Sequence, residues 1–133
     1  MSHLRHVLTI LAVDELVAHA AFYQTVLGCA ASVTTPVYVE FLVGAQRIGL
    51  YQREGFGRNI GELPGQVPAG MLAPTELYFH TDDIMAAIDR MHAAGARQLS
   101  ALAPRPWGDR AAYFADLAGN IIVLAQSLPP DVA

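Results

Sequence analysis

The sequence predicts an α+β fold made of two βαβββ units, and three observations lead there. The same order of elements is written twice along 133 residues, matching positions keep a constant offset of 68, and the chain is 53% apolar but only 15% charged. A chain of this length buries a core without disulfide or metal support. The expected organisation is one domain over 1–133, with unit one at 5–53, a connector at 54–74 and unit two at 75–127.

Unit one opens with a short apolar run rich in β-branched residues, Val7 to Val13, which reads as a strand. Asp14 is placed to cap a helix whose apolar positions are Leu16, Val17, Ala20, Ala21 and Tyr23, with Gly28 as its stop. The runs "AASVTT", "VYVEFLV" and "RIGLYQ" supply three further strands, separated by Pro36 and by Gly44-Ala45.

Unit two repeats the grammar. "TELYFHT" from Thr75 to Thr81 alternates like a half-buried strand, Asp82 and Asp83 are N-cap candidates, and "IMAAIDRMHAA" has helical spacing before Gly95. "RQLSALA", "AAYFAD" and "NIIVLAQ" complete the set, the last two joined through a turn at "LAGN". Laying Asp14 on Asp82 aligns Leu16 with Ile84, Ala18 with Ala86 and Ala20 with Ile88, the signature of a duplication. The intervening stretch from Arg53 to Pro74 is rich in glycine and proline, and is either a linker or a lid.

The bulk numbers exclude several classes. Eight Lys plus Arg, scattered through a chain of net charge −4, leave no basic surface to track phosphates, so nucleic acid is not an expected partner. A lone Cys29 makes no internal disulfide, and Asp14 and Glu15 interrupt the first apolar stretch before it reaches membrane-spanning length. The expectation is a soluble cytoplasmic protein with no membrane partner. Its low charge density favours a homodimer that hides apolar surface.

The two units, with "FYQTVLG" closing the first helix, "GLYQR" on the fourth strand, "TELYF" on the fifth and "RPWGDRAAYFADLAGN" before the last, resemble the vicinal oxygen chelate superfamily. That superfamily holds glyoxalase, the bleomycin-resistance proteins and the extradiol dioxygenases, and the similarity runs from Val7 to Gln126. It implies curved mixed sheets with helices on their convex sides and concave faces enclosing a pocket. It also implies dimers, some of which exchange units. Metal-dependent members place His or Glu ligands at one position on the first and last strand of each unit. Counted six residues back from the capping aspartates, and correspondingly on the fourth and eighth strands, these positions are Leu8, Gly49, Glu76 and Val123. Only Glu76 is a donor, and one carboxylate cannot hold a divalent ion against water. The expectation is therefore no metal and no cofactor. A two-residue slip would bring His6 onto the same strand face and still leave the set one ligand short.

Strand alternation nominates the pocket side chains. Glu76, Tyr78 and His80 share one row of the fifth strand, while Arg47, Gly49, Tyr51 and Arg53 share one row of the fourth. Glu76 meets either a ligand or a cation such as Arg47; His80 lies either in the pocket or at a wet rim. Gly49 either opens room beside the backbone or marks a bulge. Trp107, the only tryptophan, sits in a Pro- and Gly-rich turn where a ligand wall is easier to build than a core, and Tyr113 follows on the adjoining strand. Arg105 and Arg110 either neutralise Glu76, meet an anionic substituent, or stay solvated. His19 and His92 fall on helices with partly exposed faces.

Three functions compete. The favoured one is a metal-independent binding protein that sequesters an aromatic or amphipathic small molecule, with Arg47, Tyr51, Glu76, Tyr78, His80, Trp107 and Tyr113 as lining. The second is an enzyme of lyase, isomerase or dioxygenase type with Glu76 as general base and Tyr78 or His80 as acid, or with an unrecognised metal site. The third is an interaction module whose pocket is filled by its own side chains.

Overall fold

The computed structural model describes residues 2–130. Its elements run β1 (Thr9–Val13), α1 (Leu16–Leu27), β2 (Val33–Thr34), β3 (Tyr38–Val43), β4 (Gln46–Gln52), α2 (Arg53–Ile60), β5 (Glu76–His80), α3 (Ile84–Ala93), β6 (Arg97–Pro104), β7 (Asp109–Ala115) and β8 (Ile121–Ser127). Two compact units divide between Gly65 and Gln66. Each holds an open four-stranded mixed sheet, ordered β1-β4-β3-β2 in the first and β5-β8-β7-β6 in the second. The outer pair β1 with β4 is parallel, as is β5 with β8, and the remaining pairings are antiparallel. The α+β class and the two βαβββ units are as the sequence predicts.

In unit one the helix α1 buries Leu16, His19, Phe22, Tyr23 and Val26, a stripe at helical spacing that meets Leu11, Val13, Phe41, Ile48 and Leu50 in the core. Val17 and Ala21, expected on that face, point outward instead, and Val17 is 86% exposed. In unit two Ile84, Ala87, Ile88 and Met91 of α3 are buried on the side of the sheet that presents Ala112, Phe114, Ile122 and Leu124. A fully buried Phe114 or Ile122 is worth about 1.5–3 kcal/mol of burial free energy.

The helix starts correct one expectation. Asp14 does not cap α1: the N-cap is Glu15, whose side chain makes no capping bond, and Asp14 instead pairs with Arg53 Nε at 2.8 Å. Helix α3 is capped by Asp83, which accepts from the Ala86 amide. Glu15 and Asp83 are also 68 apart, so the duplicated register survives and Leu8 still matches Glu76.

Two further elements differ from the sequence reading. The strand expected over "AASVTT" shrinks to Val33–Thr34, because the Thr35 hydroxyl takes the amides of Val37 and Tyr38 and turns the chain at Pro36. The connector begins with α2, a helix despite Gly55 and Gly57. Those glycines are required by packing: a Cβ on Gly55 would enter the Tyr51 ring, and one on Gly57 would press on the backbone at Leu63. Farther along, the Ala73 amide donates to Gly119 O at 2.9 Å, tying the connector's end to the β7–β8 turn.

Candidate functional site

The open face of unit two follows from strand parity. Register pairs Glu76 with Ile121, Tyr78 with Val123 and His80 with Ala125, while β7 sets Asp109 beside Ser127, Ala111 beside Ala125 and Tyr113 beside Val123. All these side chains project from the face opposite α3. Ala111, Val123 and Ala125 form a fully buried apolar floor, with Tyr113 and Ile121 packed against it. The polar side chains stand along its edges.

Four of those side chains are wired together. The Tyr78 hydroxyl donates to Asp109 Oδ2 at 2.5 Å and accepts from Trp107 Nε1 at 2.8 Å, while His80 Nε2 lies 3.0 Å from the same Asp109 oxygen. The Tyr78 and His80 rings are 5.8 Å apart and tilted by 40°. Trp107 comes from the Arg105–Gly108 turn between β6 and β7, closed by the Arg105 amide donating to Asp109 O at 2.7 Å and by Gly108 at a φ of 96°. The indole nitrogen is thereby anchored while the ring remains 57% exposed. Partial burial, then the bond to Asp109, raises the Tyr78 phenol above the ordinary tyrosine range, with the Trp107 N–H working the other way.

Arg105 and Arg110 do not pair with Glu76 and are held by neighbouring groups of their own unit. Arg105 lies 4.9 Å over the Tyr113 ring and donates to Ser100 Oγ and to the carbonyls of Ala101 and Ala111, so it clamps the β6–β7 hairpin. Arg110 chelates the Gln126 side-chain oxygen, and Gln126 in turn donates to Asp82 O. Glu76 is exposed at the start of β5. An open cleft of about 360 Å³ adjoins His80, bordered by Thr81, Asp82, Gln126 and Ser127.

Unit one presents a different face. Register places Arg47 beside Leu42, Gly49 beside Ile10 and Glu40, and Tyr51 beside Ala12 and Tyr38. The Tyr38 hydroxyl donates to Glu40 at 2.6 Å and its ring packs 5.4 Å from Tyr51. Gly49 makes room, but for this protein's own Tyr38, whose ring stands where a Cβ would go. Burial first, then Glu40, raises the Tyr38 phenol well above its ordinary value, while Arg47 acts in the opposite direction. Arg53, taken for a face residue, turns to Asp14 and to Pro64 O.

Among the histidines, His19 corrects its expected exposure. It is 6% exposed, with Nδ1 2.7 Å from Glu15 O. His92 is exposed and meets the edge of Phe114, and His6 lies before β1 beside Thr9 Oγ1.

The ligand positions implied by the family resemblance carry Leu8 and Gly49 in unit one, and Glu76 and the fully buried Val123 in unit two. Among the described residues no group of three or more His, Cys, Asp or Glu converges. This donor set does not fit a divalent ion. Asp109 is the residue that sequence reasoning passed over. It shares the parity of Tyr113 four positions on, and that signal was sufficient to place it on the same face.

Comparisons with known proteins agree with this architecture. The fold is similar to a glyoxalase-related enzyme from Fulvimarina pelagi, with a TM-score of 0.79 and 19% identity over 92% of this chain and 88% of that one. A glyoxalase/bleomycin resistance protein/dioxygenase from Nocardioides superposes with a TM-score of 0.79 and 20% identity, covering 98% and 87% of the two chains. A lactoylglutathione lyase from Agrobacterium tumefaciens gives 0.68 and 24%, covering 92% of each. None of the curated proteins matches in sequence. Residues 3–124 fit the family description Glyoxalase/Bleomycin resistance protein/Dioxygenase superfamily, and this chain of two duplicated units belongs to that superfamily.

Proposed function

We propose that this chain is a metal-independent small-molecule binding protein of the glyoxalase/bleomycin-resistance type, and that it holds an aromatic or amphipathic compound on the open face of unit two. The observation that carries the reading is the Trp107–Tyr78–Asp109–His80 array standing over the floor of Ala111, Val123 and Ala125. An anchored, half-exposed indole supplies a flat apolar wall, the fully buried Ala111, Val123 and Ala125 back the array from beneath, and the Tyr78, Asp109 and His80 edge supplies polar groups that orient a guest. Glu76 fits the role of general base poorly, since it is exposed and the burial that role requires is not there.

Trp107 is the only tryptophan, so emission reports this face alone. Titration with bicyclic aromatics such as quinoline and naphthylamine is expected to change the emission saturably, and aliphatic amines of similar size are expected to leave it unchanged. By calorimetry, Trp107→Ala should weaken binding about tenfold, the equivalent of one aromatic contact of about 1.4 kcal/mol. An emission that responds to no aromatic compound, or equal affinity in the Trp107→Ala protein, contradicts the reading.

A further inference from the structure

We infer that His80 Nδ1 is a general base, oriented by Asp109, for metal-free proton abstraction from a planar conjugated carbon acid seated on the same face. The inference rests on the binding reading for where the substrate sits, and adds a chemical step to it. Its residues lie outside the ligand positions implied by the family resemblance.

A carboxylate only accepts, so the 3.0 Å contact between His80 Nε2 and Asp109 Oδ2 requires the proton on Nε2 and leaves the Nδ1 lone pair free. Asp109 is itself held: Tyr78 donates to the same oxygen, Trp107 fixes Tyr78, and the aspartate side chain is only 13% exposed. The imidazole by contrast is 53% exposed and borders the open cleft beside Thr81, Asp82 and Ser127. A base held by an orienting carboxylate and open to a substrate is the arrangement general-base catalysis needs. Tyr78 from β5, Asp109 from β7 and Asp82 at the cleft are the titratable groups that face it.

The step balances without a co-reactant. His80 Nδ1 takes the proton of an activated C–H bond, the bonding pair passes into the substrate's conjugated system, and the imidazolium is stabilised by the Asp109 carboxylate. Returning the same proton to another carbon of that system completes an isomerisation and regenerates neutral His80. Asp109 is a positioning residue here.

The test uses 5-nitrobenzisoxazole, a planar aromatic carbon acid. Removal of its C3 proton breaks the N–O bond, leaving a nitrile and a coloured phenolate. We expect turnover above that of free imidazole. His80→Ala should lower kcat/KM about a hundredfold and Asp109→Asn about tenfold, while the exposed helix residue change His92→Ala leaves it unchanged. Nitrogen-15 NMR of the unmodified protein should show His80 protonated at Nε2, and that preference should be lost in Asp109→Asn. Turnover that survives His80→Ala, or a proton found on Nδ1, overturns the inference. Saturable Trp107 quenching by the probe without His80-dependent turnover overturns the base and leaves the binding reading standing. Neither quenching nor turnover sinks both.

Discussion

A phenol and an imidazole share one aspartate here, an indole holds the phenol, and two tyrosines, Tyr78 and Tyr38, each donate a hydrogen bond to a carboxylate. Both phenols are raised above the ordinary 10.0. A group whose folded pKa is raised contributes stability that is present below its unfolded pKa and lost as pH rises through the folded value. Urea midpoints should therefore hold steady on this account up to about pH 10 and fall above it, and Tyr38→Phe should flatten that fall. An unchanged alkaline slope in Tyr38→Phe would show that the Tyr38 phenol does not carry the fall. At this scale the sequence revealed Tyr78, His80, Trp107 and Tyr113 because alternation fixes which way a strand residue points. It did not reveal what Arg105 and Arg110 would meet, since hairpin carbonyls and the Gln126 amide compete for a guanidinium and only the fold brings them near.

The elements differ in how firmly their ends are held. Asp83 caps α3 with a side-chain bond, whereas Glu15 heads α1 without one. Asp83→Ala should cost about 1 kcal/mol by urea denaturation and Glu15→Ala close to nothing, although both residues sit at matched positions of the duplication. Equal losses would contradict the assignment of the caps. Helices α1 and α3 were legible from apolar spacing and glycine stops, and the seven long strands from short apolar or alternating runs bounded by turn residues. Helix α2 was not, because Gly55 and Gly57 look like linker residues until Tyr51 and Leu63 are seen lying against them. The first helix's aspartate misled for a related reason: Asp14 and Glu15 are adjacent candidates, and the Arg53 that claims Asp14 is 39 residues away in sequence.

At the scale of the whole molecule, the duplication explains why the fold was readable and the function less so. Repeating one supersecondary unit fixes strand order, pairing and helix side twice over, and the offset of 68 survives in the caps even where the capping residue was misjudged. The two open faces have nonetheless diverged. Unit one fills the space beside Gly49 with its own Tyr38, while unit two keeps a floor of alanine and valine beneath an exposed indole. No helix among the described residues is long and apolar enough to cross a membrane. An apolar cavity of about 340 Å³ between α1 and β3 of unit one, lined by Leu16, Ala20, Val39 and Phe41, is the competing place for a guest. The decisive measurement is an amide and indole chemical-shift map during titration with quinoline. Shifts should concentrate at Tyr78, His80, the Trp107 indole N–H, Asp109 and Tyr113. Shifts concentrated at Leu16, Ala20 and Val39, or no shifts at all, would contradict the binding reading.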